Sequence, residues 1–220
     1  MIDLHTHTVF SDGELIPAEL ARRARMAGYR AVAMTDHADG SNLGIILENI
    51  GRMVRQFAPF TGIELFCGVE LTHVPPALLP ELVAEARQRG AQLVVVHGET
   101  LVEPVEEGTN LAAIEAGVDI LAHPGVLRGE EARLAAEHDV ALEITTRKGH
   151  SLSNGHVAAM ARAYGARLVL NNDAHGPSDF VPGELRRGVA LGAGLNQEEY
   201  HQLEENARRI VSRLITGAPH

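Results

Sequence analysis

Short apolar runs alternate with helix-period segments along this chain, and nearly every run ends in a histidine or a carboxylate. No other feature constrains the fold as strongly. The runs lie at residues 1–7, 31–35, 64–70, 92–96, 118–122, 141–145 and 168–171. Helices are predicted between them over about residues 17–28, 42–58, 78–89, 110–116, 130–138 and 154–164, and two more close the chain near 184–191 and 197–215. Pro17 opens the first helix, and Gly28, Gly90 and Gly165 follow helix ends, where such residues are preferred. About seven β-α units with short connections make a parallel sheet with crossover helices. An open doubly wound sheet and a closed barrel both satisfy this order. The first run is followed by no Gly-x-Gly-x-x-Gly and the chain has no Walker loop, which counts against a nucleotide-binding open sheet.

No Ser- or Gly-rich linker interrupts the 220 residues, so residues 1–220 are read as one domain. Nineteen basic against 29 acidic residues give a formal charge of −10. Such a chain is poorly suited to non-specific binding of nucleic acid or anionic membrane. A single cysteine, Cys67, excludes an internal disulfide framework and is placed in the core of the third strand. No apolar run approaches the roughly 20 residues that span a bilayer, and the N-terminus lacks the features of a secretion signal. A cytoplasmic protein is expected.

The chain has twelve histidines, and they are not scattered. The strands end in His5-Thr6-His7, Thr35-Asp36-His37, Gly68-Val69-Glu70, Val96-His97, Ala122-His123-Pro124 and Asn172-Asp173-Ala174-His175, and the sixth carries Glu143. Singly, each has a plain explanation: His123-Pro124 as a turn, Asp36 as a helix cap. Jointly they do not, because strand ends are a small part of the chain. In a (β/α) barrel all these ends converge on one rim. His5 and His7, like Asp173 and His175, are two apart and share a face. Imidazole and carboxylate together ligate Zn²⁺, Mn²⁺ and Fe²⁺. Without a cation, so many titratable groups are costly to bury. A multinuclear divalent-metal site is therefore expected.

At this point the chain resembles the PHP (polymerase and histidinol phosphatase) family, in particular its short stand-alone histidinol-phosphatase-like members. His5-Thr6-His7, Ser11-Asp12-Gly13, Thr35-Asp36-His37, Gly68-Val69-Glu70, His97, His123-Pro124-Gly125 and Asp173-Ala174-His175 carry the likeness over essentially the whole length. The resemblance implies a distorted (β/α)₇ TIM-like barrel with up to three divalent metals (Zn, Mn or Fe) at the C-terminal ends of the strands. It implies His5, His7, Glu70 and Asp173 as ligands of the first metal. Glu70, His97 and His123 would hold the second, with Glu70 bridging. Asp12, His37 and His175 would hold the third. Asp12 departs from the histidine of some relatives, and as a harder ligand tilts that site toward Mn²⁺ or Mg²⁺.

A further likeness covers residues 147–156, downstream of the sixth strand, and makes Arg147 the phosphate-binding candidate. Lys148, His150 and His156 are weaker candidates. His73 and Glu99 are expected to orient ligand imidazoles. Asp119 and Asp139 read as turn residues, and His138, His201 and His220 as surface residues. The activity implied is hydrolysis of a small phosphomonoester, most familiarly L-histidinol phosphate, by a metal-held hydroxide, with Glu70, Asp12 and His175 as the catalytic candidates. A phosphodiesterase or exonuclease remains the alternative within chemistry, although the acidic balance argues against long nucleic acids. An amidohydrolase also opens with His-x-His, but commonly bridges its metals with a carboxylated lysine where this chain has His97. A metal-bound interaction module without activity is the remaining alternative. Oligomeric state is not legible.

Overall fold

In the computed structural model, which describes residues 1–217, the predicted alternation is present throughout. In chain order the elements are β1 (Ile2–Asp3), α1 (Pro17–Met26), β2 (Ala31–Met34), β3 (His37–Ala38), α2 (Leu43–Thr61), β4 (Glu64–Leu71), α3 (Leu79–Gln88), β5 (Leu93–His97), α4 (Thr109–Glu115), β6 (Ile120–Ala122), α5 (Gly129–Glu137), β7 (Ala141–Thr145), α6 (Asn154–Tyr164), β8 (Leu168–Asn171), α7 (Gly183–Gly192) and α8 (Gln197–Thr216). His220 lies outside the described residues. No helix among the described residues is long and apolar enough to cross a membrane.

All strand pairings are parallel, in the order β1-β2-β4-β5-β6-β7-β8, with β3 beside β4. The sheet nearly closes into a TIM-like barrel. Between the first and last strands a single bridge, Thr6 to Ala174, replaces a full ladder. Side chains supply the missing partners there: Asn171 Oδ1 accepts the Leu4 N–H at 2.9 Å, and Asp3 Oδ1 accepts the Asn172 N–H at 3.1 Å. This seam is the distortion expected of the barrel.

Period-two alternation sorts the strand residues into two apolar layers. Leu4, Ala33, Phe66, Val95, Ile120 and Val169 fill the barrel interior. Ala207 and Val211 of α8 join that cluster and close the barrel at its N-terminal end. Val32, Met34, Val69, Val96, Leu142 and Leu170 face outward onto the helices. Each fully buried aliphatic side chain contributes about 1.5–3 kcal/mol. Cys67 belongs to the outer layer as expected, and burial pushes its thiol up to about 12. Asp119 is more than a turn residue. It accepts the Val94 N–H at 2.7 Å and pairs with Arg87 and Arg213.

Candidate metal centre

Alternation inside the barrel carries polar groups to the C-terminal rim. On β4, Phe66 lies in the interior and Glu70 follows four residues on; on β5, Val95 is followed by His97. At β6 the rule breaks. Ala122 faces the interior, so His123 in a continuing strand would face the helices. His123 instead has φ 28°, and Asp173 has φ 54°. Left-handed conformations of this kind are costly for residues with side chains and cluster at functional sites. The turn at His123 brings its imidazole into the rim, whereas Asp173, four residues beyond interior Val169, is on the interior face by alternation.

The loop after β1 is placed by Asp36, whose carboxylate accepts from Thr8 N (2.7 Å) and Ser11 Oγ (2.8 Å). Asp36 thus organises the Asp12 loop rather than capping α2. Gly13 permits the fold-back, since a Cβ there would stand 2.4 Å from the His7 carbonyl oxygen.

The nine predicted ligands all converge. Glu70 stands at the centre, fully buried. Its oxygens lie 3.2 Å from His5 Nε2, 3.7 Å from His7 Nε2, 2.6 Å from His37 Nδ1, 3.3 Å from His97 Nδ1 and 3.7 Å from His123 Nε2. Asp173 reaches His7 Nε2 (3.1 Å), His175 Nδ1 (3.3 Å), His5 Nε2 (3.7 Å) and His123 Nε2 (3.7 Å). Asp12, more exposed, reaches His175 Nε2 (3.2 Å) and His37 Nε2 (3.5 Å). Ligand-distance groups form from His7, Asp12, His37 and His175; from His5, His7 and Glu70; from His37, Glu70 and His97; and from His5, His123 and Asp173. The first group adds His7 to the three residues implied for the third metal, and the second holds three of the four implied for the first, without Asp173. His123 groups with His5 and Asp173 rather than with Glu70 and His97.

Nine nitrogen and oxygen atoms of His5, His7, Glu70, His97, His123 and Asp173 are buried with no hydrogen-bond partner. Buried polar atoms left without partners cost about 1–3 kcal/mol each. A donor set of imidazoles and carboxylates suits divalent cations, which would satisfy these atoms together. The electrostatics agree. Burial opposes charge on His37, yet the Glu70 and Asp12 carboxylates outweigh it and hold the imidazole up at about 10. Burial likewise opposes charge on His97, which Glu70 and Glu103 hold at about 9. His7, where burial prevails, is driven down to about 3. Protons on some imidazoles thus stand in for positive charge that the carboxylates require.

Around this cluster, Arg147 Nη1 lies 3.3 Å from Asp179 Oδ2 and its Nε 4.0 Å from Asp173 Oδ2. Lys148 is exposed and lines the adjoining pocket with Arg147, Ser178 and Asp179. His150 is buried, stacks on His123 at 4.2 Å and bonds Thr100 Oγ1 through Nδ1 at 2.7 Å. His156 Nε2 donates to the Leu127 carbonyl and is structural. Glu99 does not orient an imidazole; its Oε1 accepts from Gly108 N and Asn110 N at the start of α4. Two carboxylates absent from the predicted set face imidazoles: Glu143 Oε1, 2.9 Å from His5 Nδ1, and Glu103 Oε2, 3.1 Å from His97 Nε2. Glu143 was visible as the polar interruption of an apolar strand. Glu103, in a Glu- and Pro-rich loop, carried no such signal.

A profile of the PHP domain matches residues 3–96. The chain is 50% identical over 215 residues to an uncharacterized protein of Methanocaldococcus jannaschii, covering 96% of this chain and 99% of that one. It is 28% identical over 235 residues to ribonuclease P protein component 3 of Methanosarcina barkeri, covering 99% and 91% of the two chains. Among solved structures, the fold resembles histidinol phosphate phosphatase from Lactococcus lactis, complexed with Zn, L-histidinol and phosphate, at a TM-score of 0.56 and 17% identity over 95% of this chain and 93% of that one.

Proposed function

We propose, for a chain that belongs to the PHP domain family and is a metal-dependent phosphoesterase, that its substrate is a small phosphomonoester of the L-histidinol phosphate type. The observation that carries this reading is the convergence of partnerless buried imidazole and carboxylate atoms beside a guanidinium. Up to three divalent cations would be held by His5, His7, Asp12, His37, Glu70, His97, His123, Asp173 and His175. Bound there, they would supply Lewis-acid charge and an activated water.

The chain's own groups do the rest. Glu70, facing five imidazoles, would be the carboxylate shared between cations. Arg147 presents its guanidinium to phosphate oxygens and is steadied by Asp179. Lys148 adds positive charge at the mouth, and His150 walls the site beside His123. Asp12 and His175, 3.2 Å apart, are with His37 the most solvent-reachable of the nine.

The test is inorganic phosphate release from L-histidinol phosphate by Mn²⁺- or Zn²⁺-loaded protein. A kcat/KM of about 10⁴ M⁻¹s⁻¹ or higher is expected. No release, with turnover of nucleotide diesters instead, would overturn the monoester assignment. That second reading, a nucleic-acid or nucleotide substrate or partner, draws on the likeness to a ribonuclease P component. It has to accommodate a formal charge of −10.

A further inference from the structure

Two carboxylates outside the nine-residue set stand behind imidazoles that belong to it. Glu143 accepts from His5 Nδ1 at 2.9 Å, leaving His5 Nε2 to face Glu70 at 3.2 Å. Glu103 stands behind His97 at a similar distance, without a formed hydrogen bond. Its Oε2 is 3.1 Å from Nε2, while Nδ1 faces Glu70 Oε1 at 3.3 Å. A neutral imidazole has one proton to place, so an acceptor at one nitrogen leaves the other free to ligate.

The two carboxylates are mounted differently. Glu143 sits on β7, fully buried, and also accepts from Asn171 Nδ2. Glu103 sits on the loop between β5 and α4, with 36% of its side chain exposed. The Glu143 contact is a formed hydrogen bond. The Glu103 contact is within range but not yet aligned, so both nitrogens of the buried His97 lack a partner. The loop is pinned at its ends, because Glu99 caps α4 and Asn110 Oδ1 accepts the Glu99 N–H at 3.0 Å. Glu103 also faces His150 Nε2 at 3.3 Å and His73 Nε2 at 3.4 Å. Its carboxylate is thus brought in from the loop toward three imidazoles.

We infer that Glu103 is a positioning residue of the metal centre: it accepts the Nε2–H of His97 and thereby presents Nδ1 toward Glu70. Affinity at that ligand then depends on the loop between β5 and α4. The inference rests on reading the cluster as a metal centre.

The experiment is Zn²⁺ binding to the whole protein by competition with a chromophoric chelator, for the wild type, Glu103→Ala, Glu103→Gln and His97→Ala. Glu103→Ala should weaken one binding step about 10–100-fold, with unchanged final stoichiometry. Glu103→Gln retains an accepting oxygen and should recover most of the loss. Imidazole ¹⁵N shifts of the Zn²⁺-loaded wild type should show His97 protonated at Nε2. Wild-type affinity in Glu103→Ala overturns the inference. So does outright loss of one equivalent without rescue by Gln, which would make Glu103 a ligand. His97→Ala separates the two levels. If it leaves Zn²⁺ binding unchanged, the metal-centre reading fails as well. If it weakens binding while Glu103→Ala does not, only the positioning role fails.

Discussion

The two ends of the barrel treat buried charge in opposite ways. At the N-terminal end, Asp119 is enclosed by a backbone N–H and two guanidiniums, with Arg87 at 2.8 Å. α8 seals the apolar interior beneath. At the C-terminal rim, imidazoles and carboxylates crowd together with atoms left unpartnered. A floor in which charges are neutralised locally stabilises the fold. A rim whose charges need something further is built around a ligand. Chemistry and stability are therefore separable in this molecule, and variants at the two ends should have different signatures.

The largest expected effect is at the rim. Glu70→Gln should lower phosphate release by on the order of 10³-fold or more if Glu70 is shared between cations as proposed, since Lewis-acid stabilisation is worth several kcal/mol. Circular dichroism of the metal-free variant should match the wild type. Near-normal turnover would dissolve the distinction between the ends. At the floor, Asp119→Ala should cost about 3 kcal/mol of stability, because it strands two guanidiniums and a strand N–H. Urea unfolding reads that loss, while kcat of the folded, metal-loaded fraction should stay near the wild-type value.

A smaller effect sharpens the rim's side of the contrast. With His37 held at about 10 and His97 at about 9, both imidazoles are protonated in metal-free protein at neutral pH. Cations must displace those protons. Affinity should rise with pH up to about 9, by as much as about tenfold per unit for each proton displaced. Stability of the metal-free protein should move the other way. The contribution of these raised imidazoles is fully present below their unfolded value near 6.5 and is lost as pH climbs through about 9 to 10. Zn²⁺ competition and urea unfolding across pH 6–10 measure the two slopes, and parallel slopes would contradict the picture. Smallest of all, His138→Ala, exposed at the end of α5, should shift stability by no more than about 0.5 kcal/mol and leave turnover unchanged.

Most elements were readable locally. β7, α6 and β8 begin and end where pattern and capping residues put them, because alternation, Gly165 and an apolar helix stripe all agree there. α2 runs past Ala58 to Thr61 despite Pro59 in its last turn, and Gly62, at φ 72°, ends it. β3 was not legible: two residues have no periodicity, and His37-Ala38 are a strand only because Glu70 and Leu71 lie alongside. The same distinction runs through the site. Eight of the nine candidate ligands announced themselves by standing at the ends of apolar runs, and Asp12 came only through the family resemblance. The roles of Asp36 and Glu103 were not legible, since what they touch lies 25–28 residues upstream in one case and across a loop in the other.

By itself, the sequence determined the repeated β-α order, the parallel sheet that order demands, and the delivery of imidazoles and carboxylates to one rim. All three follow from periodicity and from residue type at strand ends, which are local properties. Tertiary structure alone decided which nitrogen faces which carboxylate, how the seam between β1 and β8 closes, and that His123 adopts a left-handed conformation to enter the centre. Those outcomes depend on distances between residues far apart in the chain, and only the packed barrel sets such distances.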